Sequence, residues 1–188
     1  MRDGTIYLIL RHRFEEEISE FTPDLKQDFN AELDRLKEEK NSLQGRLNNL
    51  VGKFAEFQLF TDFRTRKKFP LSVYFSGVPD NTKLNITDVR LRDKFQRADG
   101  KEFEIDVRAD SACGRTVLVE VKKTVKRTGI GVVRKFHGKA EAFAKRFPEK
   151  IELLAFLSIG GFTRDALRFC KENGIGTAEK IVYFQNDE

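Results

Sequence analysis

The sequence predicts an α/β fold, a mixed sheet flanked by helices, preceded by a long coiled-coil helix. Residues Glu102 to Lys123 contain two runs of alternating apolar and polar residues around a turn, the pattern of a β-hairpin. Ile151 to Ile159 is nearly all apolar, which is typical of a buried parallel strand. Upstream, apolar residues recur every three or four positions. We expect residues 1–49 to form an N-terminal segment and coiled-coil helix, and residues 50–188 to form the α/β domain.

Composition restricts the class of protein. The 188 residues, 39% of them hydrophobic, suit one domain with a modest core plus an appendage. No apolar run approaches the length of a membrane span. The stretch Ile6 to Leu10 is too short for a signal-peptide core, and we expect it to form an edge strand or a buried plug. Cys113 and Cys170 lie far apart without metal-site spacing, which favours a reduced, cytoplasmic protein.

Charge is distributed unevenly along the chain. Residues 1–63 hold 9 Lys+Arg and 13 Asp+Glu, whereas residues 64–188 hold 26 and 17. Within the second part, residues 64–150 hold 22 Lys+Arg and 11 Asp+Glu. A basic block of this kind indicates an anionic partner for the C-terminal domain.

The long helix is expected to begin at Thr22 as N-cap with Pro23 in its first turn. Its apolar residues follow heptad spacing, with Lys40 occupying one position of the stripe: Phe29, Leu33, Leu36, Leu43, Leu47, Leu50, Phe54 and Phe57. The residues between them are almost all charged or amide, so the stripe is narrow. A narrow stripe favours a two-stranded coiled coil, hence a homodimer; the alternative is one amphipathic helix packed on its own domain.

Past Phe54 the helix becomes apolar on more than a stripe, so it is expected to enter the globular domain there. A loop follows, with one strand at Leu71 to Phe75. The next strand is expected at Ile86 to Phe95, the first of a three-stranded meander.

In the hairpin, alternation places Asp106, Glu120 and Lys122 on one face. Two carboxylates beside an ammonium group can hold a divalent metal ion. The alternative is a solvated face on which acids and a lysine form ordinary salt bridges.

Downstream of the hairpin we expect a helix that buries Val133, Phe136, Ala140, Phe143 and Phe147. Basic residues on and before this helix are expected to contact phosphates: Lys123, Lys126, Arg127, Arg134, Lys135 and Lys139. After the buried strand, a helix is expected at Thr163 to Asn173 with Gly174 as its C-cap, followed by a last strand near Lys180 to Phe184.

Asp106, followed after thirteen residues by Glu120-Val121-Lys122, resembles the D…ExK signature of the PD-(D/E)xK nuclease superfamily, the restriction-endonuclease-like fold. Gly161 to Ile175 resembles the final helix of Mrr-type members. The resemblance covers roughly Leu50 to Phe184, and Ile105 stands where the family name has proline.

The resemblance implies a metal-dependent DNA endonuclease. Asp106, Glu120 and the Val121 carbonyl would bind Mg²⁺ or Mn²⁺, and Glu56 would supply an extra acid. Lys122 would act on the attacking water or the phosphate. A catalytically silent DNA-binding or assembly module, or a coiled-coil adaptor that binds no nucleic acid, remains open.

Overall fold

A computed structural model describes residues 3–96 and 100–180, apart from the side chains of residues 3–7, 18–26, 48, 49 and 51. The chain forms two compact units, Met1–Leu47 and Asn48–Glu188. The sequence places a domain boundary after residue 49. That residues 1–49 and 50–188 are separate domains stays a prediction. In the part of the chain that is described, no helix is both long and apolar enough to cross a bilayer.

Helix α1 runs from Asp3 to Arg66. The expected start at Thr22 and Pro23 is therefore wrong, and so is the expected strand or plug at Ile6 to Leu10. The residues before Pro23 include Leu, Arg and Glu, which favour helix, and helical charge pairs such as Arg11 with Glu15 at 2.9 Å. Helix thus forms on both sides of the proline and passes through it, although proline inside a helix costs about 3 kcal/mol.

The Asn48–Glu188 unit contains a six-stranded mixed sheet with strand order β1-β2-β3-β4-β5-β6. The first four strands pair antiparallel, and β5 and β6 each pair parallel with the strand before. The strands are β1 Lys68–Pro70, β2 Lys83–Gln96, β3 Glu102–Ser111, β4 Arg115–Lys122, β5 Ile151–Ser158 and β6 Ile175–Ala178; the helices are α2 Ile130–Arg146 and α3 Arg164–Glu172. The predicted mixed sheet flanked by helices is confirmed, and so is the meander β2-β3-β4.

One predicted strand differs from the structure, and another lies largely outside the described residues. The stretch expected as a strand at Leu71 to Phe75 begins as a 3-10 turn, Leu71–Val73. The last strand in the described residues is Ile175–Ala178, where Gly174 (φ 63°) ends α3 and turns the chain directly into the sheet. Of the expected strand near Lys180 to Phe184, residues 181–184 lie outside the described residues.

Two cores lie on opposite faces of the sheet. The end of α1 packs Ala55, Leu59 and Phe63 against a face that includes Val117, Val119 and Val121. Helices α2 and α3 cover the other face, where Phe136, Phe143 and Ala166 pack with Leu118 and Phe156. The alternation predicted for β4 is therefore confirmed, and side chains at its C-terminal end can be approached from both helical layers.

Candidate active site

The candidate site lies where β3 and β4 separate. The two strands pair from Asp110↔Thr116 to Val107↔Val119. Beyond that point β3 stays paired with β2 as far as Glu102, and β4 stays paired with β5 as far as Lys122. The sheet therefore opens into a gap between β3 and β4, which we call the fork.

At the fork, the Asp106 side chain bonds to β4 where backbone pairing between β3 and β4 has ended. Its Oδ2 accepts a hydrogen bond from the Val121 backbone N–H at 2.7 Å. The Lys122 carbonyl accepts from Ile159 N on the opposite side of β4. Because backbone groups of successive strand residues point in opposite directions, the Val121 carbonyl faces the fork with its N–H. The fork thus holds a carboxylate and a backbone carbonyl, both oxygen donors.

Glu120 is buried, with 5% exposure, and two ammonium groups hold it. Lys122 Nζ lies 3.0 Å from Oε1, and Lys139 Nζ lies 2.8 Å from Oε2. Lys139 reaches across from α2 and also donates to the Glu104 carbonyl at 2.8 Å. The ion pairs that an ordinary salt-bridged hairpin would show are therefore present at Glu120.

Asp106 differs from Glu120 because no ion pair in the described residues engages it. Burial raises the pKa of Asp106 to about 6, and the negative charges of Glu120 and Glu56 add to the increase. The Val121 N–H and the charge of Lys122 lower the pKa but do not compensate. A carboxylate whose charged form is disfavoured in this way is a position where an added cation is stabilised.

Glu56 approaches from the α1 layer and is almost wholly buried. Lys123 Nζ lies 3.0 Å from its Oε1, and Arg92 donates to its Oε2 at 2.9 Å. Lys123 reaches Glu56 by crossing Gly52, where a Cβ atom would lie 1.8 Å from Lys123 Cδ. Glycine at position 52 is therefore required for this contact.

Arg92, which donates to Glu56, has an irregular backbone conformation within β2. Its φ of 53° is in the left-handed region, which non-glycine residues seldom adopt. It lies between the pairs Leu91↔Val107 and Asp93↔Ile105, so it stands across from Asp106. Backbone strain of this kind costs about 1–3 kcal/mol and often occurs at functional sites.

The structure brings Asp106, Glu120, Val121, Lys122 and Glu56 together around the fork, and their catalytic and metal-binding roles stay predictions. The basic residues predicted to bind DNA divide into two groups. Lys123 and Lys139 form the ion pairs just described. The other four are exposed: Lys126, Arg127, Arg134 and Lys135.

Sequence reasoning missed Gly52, Arg92 and the inward direction of Lys139. A glycine inside the helical pattern NLVGKFAEF was the available signal for a close approach. Nothing in the sequence near Arg92 marks a left-handed residue. Lys139 is an ordinary helical lysine by its sequence, and only the position of α2 beside β4 turns it towards Glu120.

The donor set suits a hard divalent cation that keeps most of its water. Among the described residues, no group of three or more His, Cys, Asp or Glu side chains is placed to hold a metal ion. The fork offers instead two carboxylates and one carbonyl, and Mg²⁺ typically binds to one or two carboxylates and retains several waters. Asp106, without a counter-ion, is the group that such an ion would neutralise. The residues present therefore fit the ion that the resemblance implies.

Residues 87–180, half of the chain, match the family model Mrr_cat, described as restriction endonuclease. The chain belongs to the Mrr_cat restriction endonuclease family. The matched segment includes Asp106, Glu120, Lys122 and Lys139, whereas Glu56 lies outside it.

Solved structures of other proteins are also similar to this Mrr_cat family member. A protein of unknown function, AF1548, is 18% identical, with 48% of this chain and 47% of that chain covered and a TM-score of 0.40. A repair endonuclease from Pyrococcus abyssi is 13% identical, with 50% and 38% covered and a TM-score of 0.39. EndoMS, solved in a complex with dsDNA, is 16% identical, with 45% and 35% covered and a TM-score of 0.33. The chain spans less than half of each of those chains. No curated protein matches it.

Proposed function

We propose that this protein is a metal-dependent DNA endonuclease of the PD-(D/E)xK type. The observation that supports this most strongly is Asp106, a half-buried carboxylate that forms no ion pair within the described residues and is hydrogen-bonded to the backbone of β4 at the mouth of the fork. A salt-bridged hairpin gives no reason to keep a carboxylate there unpaired, since an uncompensated buried charge is costly. A site that binds a cation explains the unpaired carboxylate, because the bound ion would neutralise it.

Asp106, Glu120 and the Val121 carbonyl would hold Mg²⁺ or Mn²⁺. Glu56 could become a metal ligand only by releasing Lys123 or Arg92. We therefore propose that its main role is to neutralise these two cations. When bound, the ion would lower the pKa of a coordinated water and stabilise negative charge on the scissile phosphate. The Lys122 side chain, 37% exposed, is more open to solvent than those of Lys123 and Lys139, and it would orient the attacking water or contact the phosphate.

The reaction would be hydrolysis of a phosphodiester bond. An oxygen from water bonds to phosphorus, one ester P–O bond breaks, and the leaving oxygen gains a proton while the water loses one. Two carboxylates and one lysine suffice for this chemistry because positioning and charge stabilisation lower most of the barrier.

The DNA backbone would lie against the four exposed basic residues, which we call the basic rim: Lys126, Arg127, Arg134 and Lys135. The loop that bears Lys126 and Arg127 packs directly on Gly160, where a Cβ atom would lie 2.4 to 2.6 Å from three loop carbonyls. Thr128 N also donates to the Gly161 carbonyl at 2.8 Å. A basic loop held in this way presents its charges at a fixed place beside α2, as phosphate contacts require.

The apolar stripe of α1 would join two copies of the chain. Its members, from Phe29 to Phe57, are all at least 37% exposed, so no part of the described chain covers them. Large apolar side chains in a heptad row are stable in water chiefly when a second helix covers them. A homodimer would place two active sites in one particle. Light scattering at micromolar concentration should show a dimer, and Leu43→Asp with Leu47→Asp should convert it to a monomer.

Calorimetry with Mn²⁺ tests the proposed metal site. The wild type should bind the ion and should melt at a higher temperature with it than without it. Asp106→Asn should lose both effects. Lys122→Ala should keep them, because the ammonium group acts on the reacting phosphate and not on the ion. A wild type that does not bind Mn²⁺ would contradict the proposal.

One observation favours a second candidate, a catalytically silent DNA-binding or assembly module dimerised by α1. Both oxygens of Glu120 are already held by ammonium groups, which is how a site that never binds a metal would be neutralised. Such a module would bind duplex DNA without responding to Mn²⁺ and without cleaving. For either function we propose a cytoplasmic location, which the two free, widely spaced cysteines favour.

A further inference from the structure

The stripe of α1 has flanking charges that distinguish the two possible orientations of a second helix. In heptad notation, a positions are Leu33, Lys40, Leu47 and Phe54, and d positions are Phe29, Leu36, Leu43, Leu50 and Phe57. A parallel dimer packs a against a and d against d. An antiparallel dimer packs a against d of the partner.

We propose that two copies of this chain associate through α1 in antiparallel orientation, with Lys40 packed against the partner's Leu43 and Leu36 against the partner's Leu47. This inference rests on the homodimer included in the proposed function. The register covers the stripe from Phe29 to Phe54, since Phe54 then meets the partner's Phe29, and Phe57 falls opposite the partner's Lys26. Between Phe29 and Phe54, each layer outside the two Lys40 layers is apolar on both sides.

Lys40 provides the first argument. It is exposed, and in a parallel dimer it would face its own copy across the seam. Two ammonium groups in one layer repel each other and lose hydration. In the antiparallel register the two lysines occupy separate layers. Each packs its aliphatic stem against a leucine while the charged end reaches solvent.

The charges beside the stripe provide the second argument. In the antiparallel register the residues preceding each a position face one another, which pairs Glu39 with the partner's Arg46 and Glu32 with the partner's Lys53. By symmetry this gives four oppositely charged pairs. In a parallel dimer only Glu32 with Lys37 would be oppositely charged, giving two pairs, and Glu39 and Arg46 would each face an uncharged residue.

The structure leaves the central pair available. Both Glu39 and Arg46 are exposed, and neither takes part in an ion pair within the described residues. Glu32, by contrast, is paired with Arg35 at 2.7 Å on its own helix. The pair of Glu39 with Arg46 of a second chain is therefore the most informative contact to test.

Charge exchange distinguishes the orientations. Glu39→Arg alone, or Arg46→Glu alone, turns two attractive contacts per dimer into repulsions and should weaken the dimer by about tenfold or more. The double variant restores opposite charges in the antiparallel register, so its dissociation constant should return to within about threefold of the wild type. A double variant weaker than either single variant would overturn the antiparallel arrangement. A wild type that is monomeric in analytical ultracentrifugation would instead refute the homodimer itself.

Disulfide trapping gives a second readout that does not depend on charge. In a Cys113→Ala background, Leu36→Cys protein mixed with Leu47→Cys protein should form a mixed disulfide under mild oxidation, identified by mass. Each protein alone should remain uncrosslinked, because neither position meets itself. Self-crosslinking of each single variant without a mixed product would show a parallel pair and overturn the proposal.

Discussion

Asp106 is the residue at which the chemistry of the fork can be tested without substrate. Its pKa in the folded protein is raised to about 6 by burial and by the charge of Glu120, so its ionisation opposes folding at higher pH. With a raised pKa, stability is fully present below pH 4 and is lost as pH rises through 6. In chelator at pH 8, Asp106→Asn should therefore have a higher free energy of unfolding than the wild type, by about 3 kcal/mol, whereas at pH 4 the two proteins should be about equally stable.

Asp110 offers the matched control for that experiment. Burial raises its pKa, but hydrogen bonds from Lys150, Thr116 and Arg108 outweigh burial and leave the pKa below its ordinary value. A depressed pKa contributes stability that is present above pH 4 and is lost at lower pH. Asp110→Asn should therefore destabilise the protein at pH 8, the opposite sign. Similar changes in unfolding free energy for the two substitutions at pH 8 would contradict the claim that no cation neutralises the charge of Asp106.

Lys139 competes with a metal ion for Glu120. Replacing it by methionine removes the contact of 2.8 Å with Oε2 and leaves Glu120 with Lys122 alone. The metal-free protein should lose about 1–3 kcal/mol of unfolding free energy, as a buried charged acceptor loses one partner. Mn²⁺ affinity should rise by about threefold to tenfold, because a positive charge leaves the site. The exposed Lys135→Met is the control and should change neither quantity; equal effects of both variants would refute this competition.

Sequence alternation predicted which residues meet at the fork but not their electrostatic states. Period two predicted that Asp106 and Glu120 are neighbours, although the alternation of β3 breaks at Asp106, since Ile105 packs in the core under α2 and Val107 in the core under α1. The absence of a counter-ion at Asp106 depends on which lysines reach Glu120 instead. Lys139 is 19 residues from Glu120 along the chain, and their contact arises only when α2 packs on β4. Such contacts are tertiary and have no local signature.

At the scale of elements, Gly52 lets the Lys123 side chain pass close to the end of α1. Gly52→Ala would place a methyl group where Lys123 now passes and would force that side chain away from Glu56. The expected loss is about 1–3 kcal/mol, since a buried carboxylate loses one of two cations. Gly45→Ala is the control on the same helix, because no atom lies within 4 Å of its added Cβ, and it should stabilise by about 0.5–1 kcal/mol. Denaturant titration at pH 7 measures both; a stabilising Gly52→Ala would contradict this account of the site.

Strongly periodic elements were predictable, and elements that depend on propensity alone were not. Strand β5 and helix α3, with Thr163 as its N-cap accepting from Ala166 N, lie where the sequence places them. The N-terminus of α1 was not predictable, because Thr22-Pro23 is a usual signal of a helix start and here lies inside a helix. Favourable helix formers on both sides outweigh one proline when the helix is long.

At the scale of the whole molecule, the acidic first part and the basic second part predict where DNA binds. Replacing Lys126 and Arg127 by alanine should reduce the slope of log affinity against log salt by about 2, because two phosphate contacts are lost. Arg11→Ala with Arg13→Ala removes the same charge from the Met1–Leu47 unit and should leave the slope unchanged. Fluorescence anisotropy with a DNA duplex over a salt series measures both. Equal slopes for the two double variants would contradict the proposal that the basic rim contacts DNA.

The most direct measurement of the central claim is plasmid nicking by the full chain. With Mg²⁺ or Mn²⁺, the wild type should convert supercoiled plasmid to open circles, and chelator should stop it. Asp106→Asn and Lys122→Ala should each be inactive. Asp106→Asn should bind duplex DNA as tightly as the wild type or tighter, because it removes a negative charge facing phosphate. A wild type that binds DNA but does not nick it with either ion, or a variant of Asp106 that nicks as fast as the wild type, would contradict the endonuclease assignment and leave the silent module as the better account.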